Sequence, residues 1–222
     1  MKDVIIAVLT ALEKERPVFW SEADFQFSFA WELHNHLPDD AKIRLERREE
    51  IMSRLKRKKV PAYIDIWVEY NNMVYPIELK YKTRSLMKNL NNETFELKTQ
   101  GACDVGGHNF INDIWRIEQL SVSKPEFDKG FAIMITNDPT YWTKPEGNDE
   151  TAFRDFRLYD RPYTEQISGT LAWYSAGGNT KEWQDKEGPI TLKHAYPIHW
   201  EEYSDLKVKN GIFKYLLVEV TK

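Results

Sequence analysis

Tyr63-Ile64-Asp65-Ile66-Trp67-Val68-Glu69-Tyr70, then Asn71-Asn72, then Tyr75-Pro76-Ile77-Glu78-Leu79-Lys80-Tyr81-Lys82 is the stretch that decides the fold. Successive side chains of a strand leave opposite faces. In the first segment Ile64, Ile66 and Val68 fall on one face and Asp65, Trp67 and Glu69 on the other. In the second, Ile77, Leu79 and Tyr81 share a face opposite Glu78, Lys80 and Lys82. Asparagines tolerate positive φ, so Asn71-Asn72 predicts a tight turn and the whole an antiparallel hairpin.

Working outward, Val4 to Leu12 predicts a core helix begun by an Asp3 cap. The charged run Glu13-Lys14-Glu15-Arg16 sets it apart from a signal peptide. Ser21 with Asp24 marks the start of a second helix, whose stripe of Phe25, Phe29, Leu33 and Leu37 runs to Pro38. Ile43 to Glu46 alternates as a strand, and the basic segment that follows predicts a loop or wide turn. After the hairpin come a Gly106-Gly107 turn and a helix from about Asn109 to Val122. Gly130 to Thr136 is a continuously apolar run, as a central strand should be. Beyond Asp138 the composition shifts to short alternating pieces such as Thr170 to Trp173, closing on a strand from Phe213 to Val220.

Composition narrows the classes. Of 222 residues, 41% are hydrophobic and 30 are aromatic, enough for a sizeable core. The charged fraction of 30% and the mean hydropathy of -0.61 argue against membrane spans. A single cysteine, Cys103, allows neither an internal disulfide nor a Cys-rich zinc site, and a cytoplasmic location is the default. Net charge is -4, yet Lys42 to Lys59 carries nine basic residues against three Glu, a local +6. Such a segment reads either as a face for phosphates or as a solvated loop.

The chemistry converges on the hairpin. Glu78 and Lys80 lie two apart on one strand, so both side chains leave the same face, and a twisted hairpin can bring Asp65 beside them. Two carboxylates repel unless a cation joins them. Completed by waters and a phosphate oxygen, they suit Mg²⁺ or Mn²⁺. Asp40 with Lys42, Glu96 with Lys98 and Asp205 with Lys207 repeat the acid-x-Lys spacing, but only Glu78 with Lys80 follows a strand bearing an isolated acid. The competing reading is a solvent-facing sheet edge dressed with Glu and Lys.

Tyr-Ile-Asp-Ile-Trp-Val, a short hairpin and Tyr-Pro-Ile-Glu-Leu-Lys resemble the core of the PD-(D/E)XK nuclease superfamily, which includes restriction endonucleases and Holliday junction resolvases. The resemblance covers about residues 20–136, and Ile64 stands where the signature has proline. The run from Ser21-Glu22 to Asn137-Asp138 also resembles bacterial proteins of this type without an assigned substrate.

It implies an α/β fold: a restriction endonuclease-like core (about 20–138), a mixed central sheet flanked by helices on both sides, and a C-terminal β-rich extension (about 139–222). Asp65 and Glu78 would bind the metal, joined by Glu22, with Glu32 and Glu46 as weaker candidates, and Lys80 would assist catalysis. A polar residue on the following helix would be Asp113 or the earlier Gln100. Arg44, Arg47, Arg48, Lys82 and Gln100 are the candidate substrate contacts.

The expected function is a Mg²⁺- or Mn²⁺-dependent nuclease acting on nucleic acid, DNA foremost, with no membrane partner and a possible homodimer. The alternatives are a catalytically silent nucleic-acid-binding or regulatory module and a protein-interaction domain. His34, His36, His108, His194, His199 and Cys103 show no pattern of shared ligands or of a nucleophile with its base.

Overall fold

The computed structural model describes residues 1–56, 58–147, 150–174 and 188–222. Its elements are α1 (Lys2–Glu15), α2 (Glu22–His36), β1 (Lys42–Met52), β2 (Lys59–Tyr70), β3 (Met73–Lys82), β4 (Leu86–Leu90), β5 (Glu93–Leu97), α3 (Cys103–Ser123), β6 (Lys129–Thr136), β7 (Gln166–Leu171), β8 (Ile190–Pro197), β9 (Trp200–Asp205) and β10 (Ile212–Thr221). The protein is α/β. Its six-stranded sheet has the order β1-β2-β3-β6-β10-β9, and it is mixed because β3 and β6 run parallel while the other neighbours run antiparallel. β4 with β5, and β7 with β8, form separate two-stranded ribbons. No helix among the described residues is long and apolar enough to cross a membrane.

Helices cover both faces. Ile5, Leu9 and Leu12 of α1 and Phe25, Phe29 and Leu33 of α2 pack on Ile77, Leu79, Tyr81 and Ile133. On the other face Ile114, Ile117 and Leu120 of α3 pack on Ala132, Met134 and Val218, with Ile190 and Leu192 of β8 beyond them. Residues after 139 therefore do two things. They add β9 and β10 to the central sheet and lay the β7–β8 ribbon against α3.

Ser21 caps α2, its Oγ accepting from the Asp24 amide at 3.1 Å. Asn71 and Asn72 take φ of 52° and 60°, the left-handed pair of a two-residue hairpin turn. Asn91 and Asn92 repeat the device between β4 and β5, a hairpin that their sequence signal could have revealed.

Four expectations need correction. α1 begins at Lys2 with Met1 at its cap and no side-chain cap bond, so Asp3 lies within the first turn. The basic segment is mostly strand: β1 runs to Met52 and pairs with β2 in register, Arg48 opposite Tyr63 and Met52 opposite Lys59. α3 starts at Cys103 and encloses Gly106 and Gly107. Those glycines permit close packing, since a Cβ on Gly106 would lie 2.0 Å from the Tyr141 hydroxyl and one on Gly107 2.2 Å from the Phe156 carbonyl oxygen.

The fourth concerns the alternation of β2. Ile66 and Val68 face α1 and α2, but Ala62 and Ile64 face α3. The facing reverses at Asp65, where its opposite number, Glu46, has φ of 51°. A positive φ in a non-glycine strand residue turns the chain locally, as at a bulge.

Candidate functional site

The site lies where two strands part. β2 pairs with β3 from Tyr70↔Met73 to Ile66↔Ile77 and no further; residues 59–65 then continue against β1 alone. β3 runs on along β6 to Lys82. Backbone N–H groups on the abandoned side of β3 need acceptors, because a buried unpaired amide costs about 1–3 kcal/mol.

Side chains supply them. Asp65 Oδ2 accepts from the Leu79 amide at 2.6 Å, and Glu22 Oε2, from the first turn of α2, accepts from the Tyr81 amide at 2.9 Å. The Asp65 carbonyl, freed from the ladder, accepts from Gln26 Nε2 at 2.8 Å, and the same amide group donates to Glu46 Oε1 at 2.9 Å. Asp65, Glu22 and Glu46 thus gather around one notch in the sheet.

Glu78 and Lys80 leave β3 on one face, as their spacing predicts, and α3 covers that face. Lys80 Nζ meets Asp113 Oδ2 at 2.8 Å and donates to the Leu79 carbonyl at 2.9 Å. Arg116, three residues along α3 from Asp113, reaches Glu78 Oε1 at 3.2 Å and Asp113 Oδ1 at 3.4 Å, and also donates to the Tyr63 carbonyl. Glu78 is 1% exposed, and neither of its carboxylate oxygens has a hydrogen-bond partner among the described residues. Arg116 is the member that sequence reasoning missed. Its i,i+3 relation to Asp113 was visible, but its reach to Glu78 depends on how α3 crosses the sheet.

Four carboxylates (Glu22, Asp65, Glu78, Asp113) surround two cations (Lys80, Arg116), and Asp65, Glu78 and Lys80 respond. Burial, partly offset by Lys80 and the Leu79 amide and reinforced by Asp113 and Glu22, raises the Asp65 pKa from 3.8 to about 6. Burial, then Asp113, pushes Glu78 well above the usual carboxylate range against the pull of Arg116. Burial works against the Lys80 charge, yet Asp113, Asp65 and Glu22 outweigh it and raise the ammonium above the ordinary lysine value.

Among the described residues, no three His, Cys, Asp or Glu side chains converge as a metal cage. A Mg²⁺ site does not need one, since this ion keeps several waters and commonly takes one or two carboxylates plus substrate phosphates. The Glu78 carboxylate, which lacks a hydrogen bond among the described residues and meets Arg116 as an ion pair at Oε1, fits such an ion together with the buried Asp65.

The remaining candidates lie in other surroundings. Arg47 pairs with Glu49 at 3.1 Å and with Glu69, its guanidinium 4.5 Å from the Trp67 ring centre. Arg48 meets Glu50 at 3.4 Å, and Arg44 donates to the Ile43 carbonyl. Glu49 and Glu50 are already counted in the local +6, and Glu69 offsets it from outside the segment. Lys82 lies on the Lys80 face of β3, opposite Thr136; Gln100 is exposed, its amide donating to the Thr83 carbonyl. Glu32 pairs with His36 at 3.2 Å.

His108 packs on Phe156 and Trp173, and His199 stands between Asp160 and Glu201. Burial raises the Cys103 thiol pKa, the opposite of an activated nucleophile. Comparison with protein-family models, with curated proteins and with solved structures finds no match for this chain.

Proposed function

We propose that this protein is a Mg²⁺- or Mn²⁺-dependent nuclease that hydrolyses phosphodiester bonds of DNA at Asp65, Glu78 and Lys80. The observation that carries the reading is the Glu78 carboxylate, buried with neither oxygen hydrogen-bonded, in a notch that also holds Asp65 and Lys80. A restriction endonuclease-like arrangement of the core accords with the strand divergence at Asp65.

Asp65 and Glu78 would hold the ion, and Glu22 is the third acid at the notch. When bound, the ion would polarise a phosphoryl oxygen and lower the pKa of a bound water. Because Asp113, Asp65 and Glu22 keep Lys80 protonated, its role is a fixed positive charge facing the developing phosphate charge rather than a general base. Asp113 and the Leu79 carbonyl fix the ammonium in place. Cleavage of labelled DNA and RNA substrates with Mg²⁺ or Mn²⁺ tests the reading. DNA cleavage lost in Asp65→Ala and Lys80→Ala is expected, and activity unchanged by either substitution would reject it.

One observation favours a second reading, a silent nucleic-acid-binding module. Arg116 already faces Glu78, and Lys80 already faces Asp113, so the cluster is partly neutralised from within. Mn²⁺ titration separates the two: no ion bound, with salt-dependent affinity for nucleic acid retained, would support the silent module.

A further inference from the structure

The segment after β6 builds a cavity of about 390 Å³, whose lining includes Lys144, Arg154, Asp155, Tyr159, Arg161 and Gln166. Its charge is one-sided. Three cations face one carboxylate, and that carboxylate is engaged, Asp155 Oδ2 accepting from the Ala172 amide at 3.0 Å. Among the described residues, no acid lies within ion-pair distance of Lys144, Arg154 or Arg161. Elsewhere on this protein Arg47, Arg48, Arg84 and Lys129 each have such a partner, so the lack here is local.

The guanidiniums are held by aromatic faces in place of acids. Arg161 lies 4.1 Å from the Tyr159 ring centre and Arg154 3.4 Å from that of Tyr174, while Lys144 Nζ stands 5.8 Å from Tyr159. Stacking fixes a guanidinium plane and leaves its edge to donate. Arg161 gives one N–H to the Arg157 carbonyl at 3.0 Å, and its Nε–H, buried, has no acceptor. Burial, only partly offset by Tyr159, Glu165 and Asp155, holds its pKa below the ordinary arginine value, so an anion in contact with the guanidinium would relieve the site.

We propose that this cavity is a phosphate-binding site, taking either a backbone phosphate of a polynucleotide or the phosphate of a small ester. A phosphate carries more charge and more acceptor oxygens than a carboxylate, which suits three converging cations. Its placement accords with a polynucleotide. The segment leaves the carboxyl end of β6, parallel to β3, which ends at Lys80 to Lys82. Arg84 ties the two together, its amide donating to Asn137 Oδ1 at 2.7 Å and its Nε meeting Asp138 Oδ1 at 2.9 Å. The inference goes beyond the nuclease reading and does not depend on turnover.

The test is binding with EDTA present, so that hydrolysis plays no part. A short fluorescein-labelled oligonucleotide and inorganic phosphate are the two probes, against wild type, Arg161→Gln, the Lys144→Ala/Arg154→Ala pair and Lys14→Ala on α1 as control. Loss of affinity of about tenfold or more in Arg161→Gln and in the pair, with Lys14→Ala unchanged, is expected. Competition by inorganic phosphate would assign the site to phosphate groups in general, and binding of the oligonucleotide alone would assign it to the polymer backbone. Lys144 and Arg154 are exposed, so the pair should keep the wild-type melting temperature and its result does not hinge on folding. Wild-type protein that binds neither probe, or variants that bind as wild type does, would overturn the proposal, whatever the cleavage assay gives.

Discussion

The Leu79 amide donates to the Asp65 carboxylate at 2.6 Å, in the place where the next rung of the β2–β3 ladder would have been. One side chain therefore closes a broken sheet and supplies an acid to the candidate site. The two roles can be separated by substitution.

Asp65→Asn keeps an oxygen for the Leu79 amide and removes the charge, whereas Asp65→Ala removes both. Near pH 4, where the native Asp65 carboxyl keeps its proton, the alanine variant should lose about 1–3 kcal/mol of unfolding free energy and the asparagine variant should stay within about 1 kcal/mol of wild type. Metal-dependent cleavage should vanish in both. Chemical denaturation beside the cleavage assay checks this, and equal destabilisation of the two variants would contradict the structural half.

Stability should fall with rising pH on account of Asp65. Its carboxyl titrates at about 6 in the native protein against 3.8 ordinarily, burial being the chief cause, so between those values the native state keeps a proton that the unfolded chain has released. The loss amounts to on the order of 3 kcal/mol once the pH exceeds the native value. Glu78, also raised, extends the fall toward higher pH. Asp65→Asn should flatten this part of the curve, and Mg²⁺ or Mn²⁺ should raise the wild-type melting temperature more at pH 8 than at pH 5. A wild-type-to-variant difference that is constant with pH would count against the assignment.

Lys80→Met leaves the buried Asp113 with Arg116 alone, at 3.4 Å, which should cost about 1–3 kcal/mol. Adding Asp113→Asn should recover most of that stability without recovering cleavage. Denaturant midpoints and turnover, measured on the single and double variants, distinguish a supporting lysine from one that acts on substrate. Cleavage restored in the double variant would show Lys80 to be structural.

Gly107→Ala should destabilise more than Gly106→Ala. The new methyl at 107 meets the Phe156 backbone carbonyl, which cannot move alone, whereas at 106 it meets the Tyr141 hydroxyl at the end of a side chain. Overpacking of the first kind typically costs about 1–3 kcal/mol. Thermal melts of the two variants suffice, and the reverse order would contradict the packing of α3.

What the sequence shows of this fold follows from what is local. The Asn71-Asn72 turn, the Ser21 cap and the alternation of Ile77 to Lys82 depend on neighbours in the chain, and each stands as expected. The alternation of Ile43 to Glu46 marks only the first part of β1; its continuation is an edge strand with largely exposed faces, so Arg47 to Glu50 carries no apolar rhythm. The reversal at Glu46 and Asp65 breaks period-2 alternation in a way that composition does not mark. Of the site, Asp65, Glu78 and Lys80 were legible from spacing along two strands, while Glu22, and Asp113 as one of two candidates, came from the family resemblance. The crossing of α3 brings Asp113 to the site in preference to Gln100 and carries Arg116, which no pattern along the chain marks, to Glu78.

β10 lies between β6 and β9, and β9 in turn pins the end of α1: the Tyr203 hydroxyl donates to the Arg16 carbonyl at 2.8 Å and Ser204 Oγ to that of Pro17 at 2.5 Å. These contacts join residues 187 positions apart. A nascent chain would thus emerge with one side of β6 bare until residues 212–221 had cleared the ribosome, and the notch at Asp65 would stand on an unfinished sheet. Folding governed by such high contact order is slow, so the sheet around the notch should be complete only after residues 212–221 have been made and have paired.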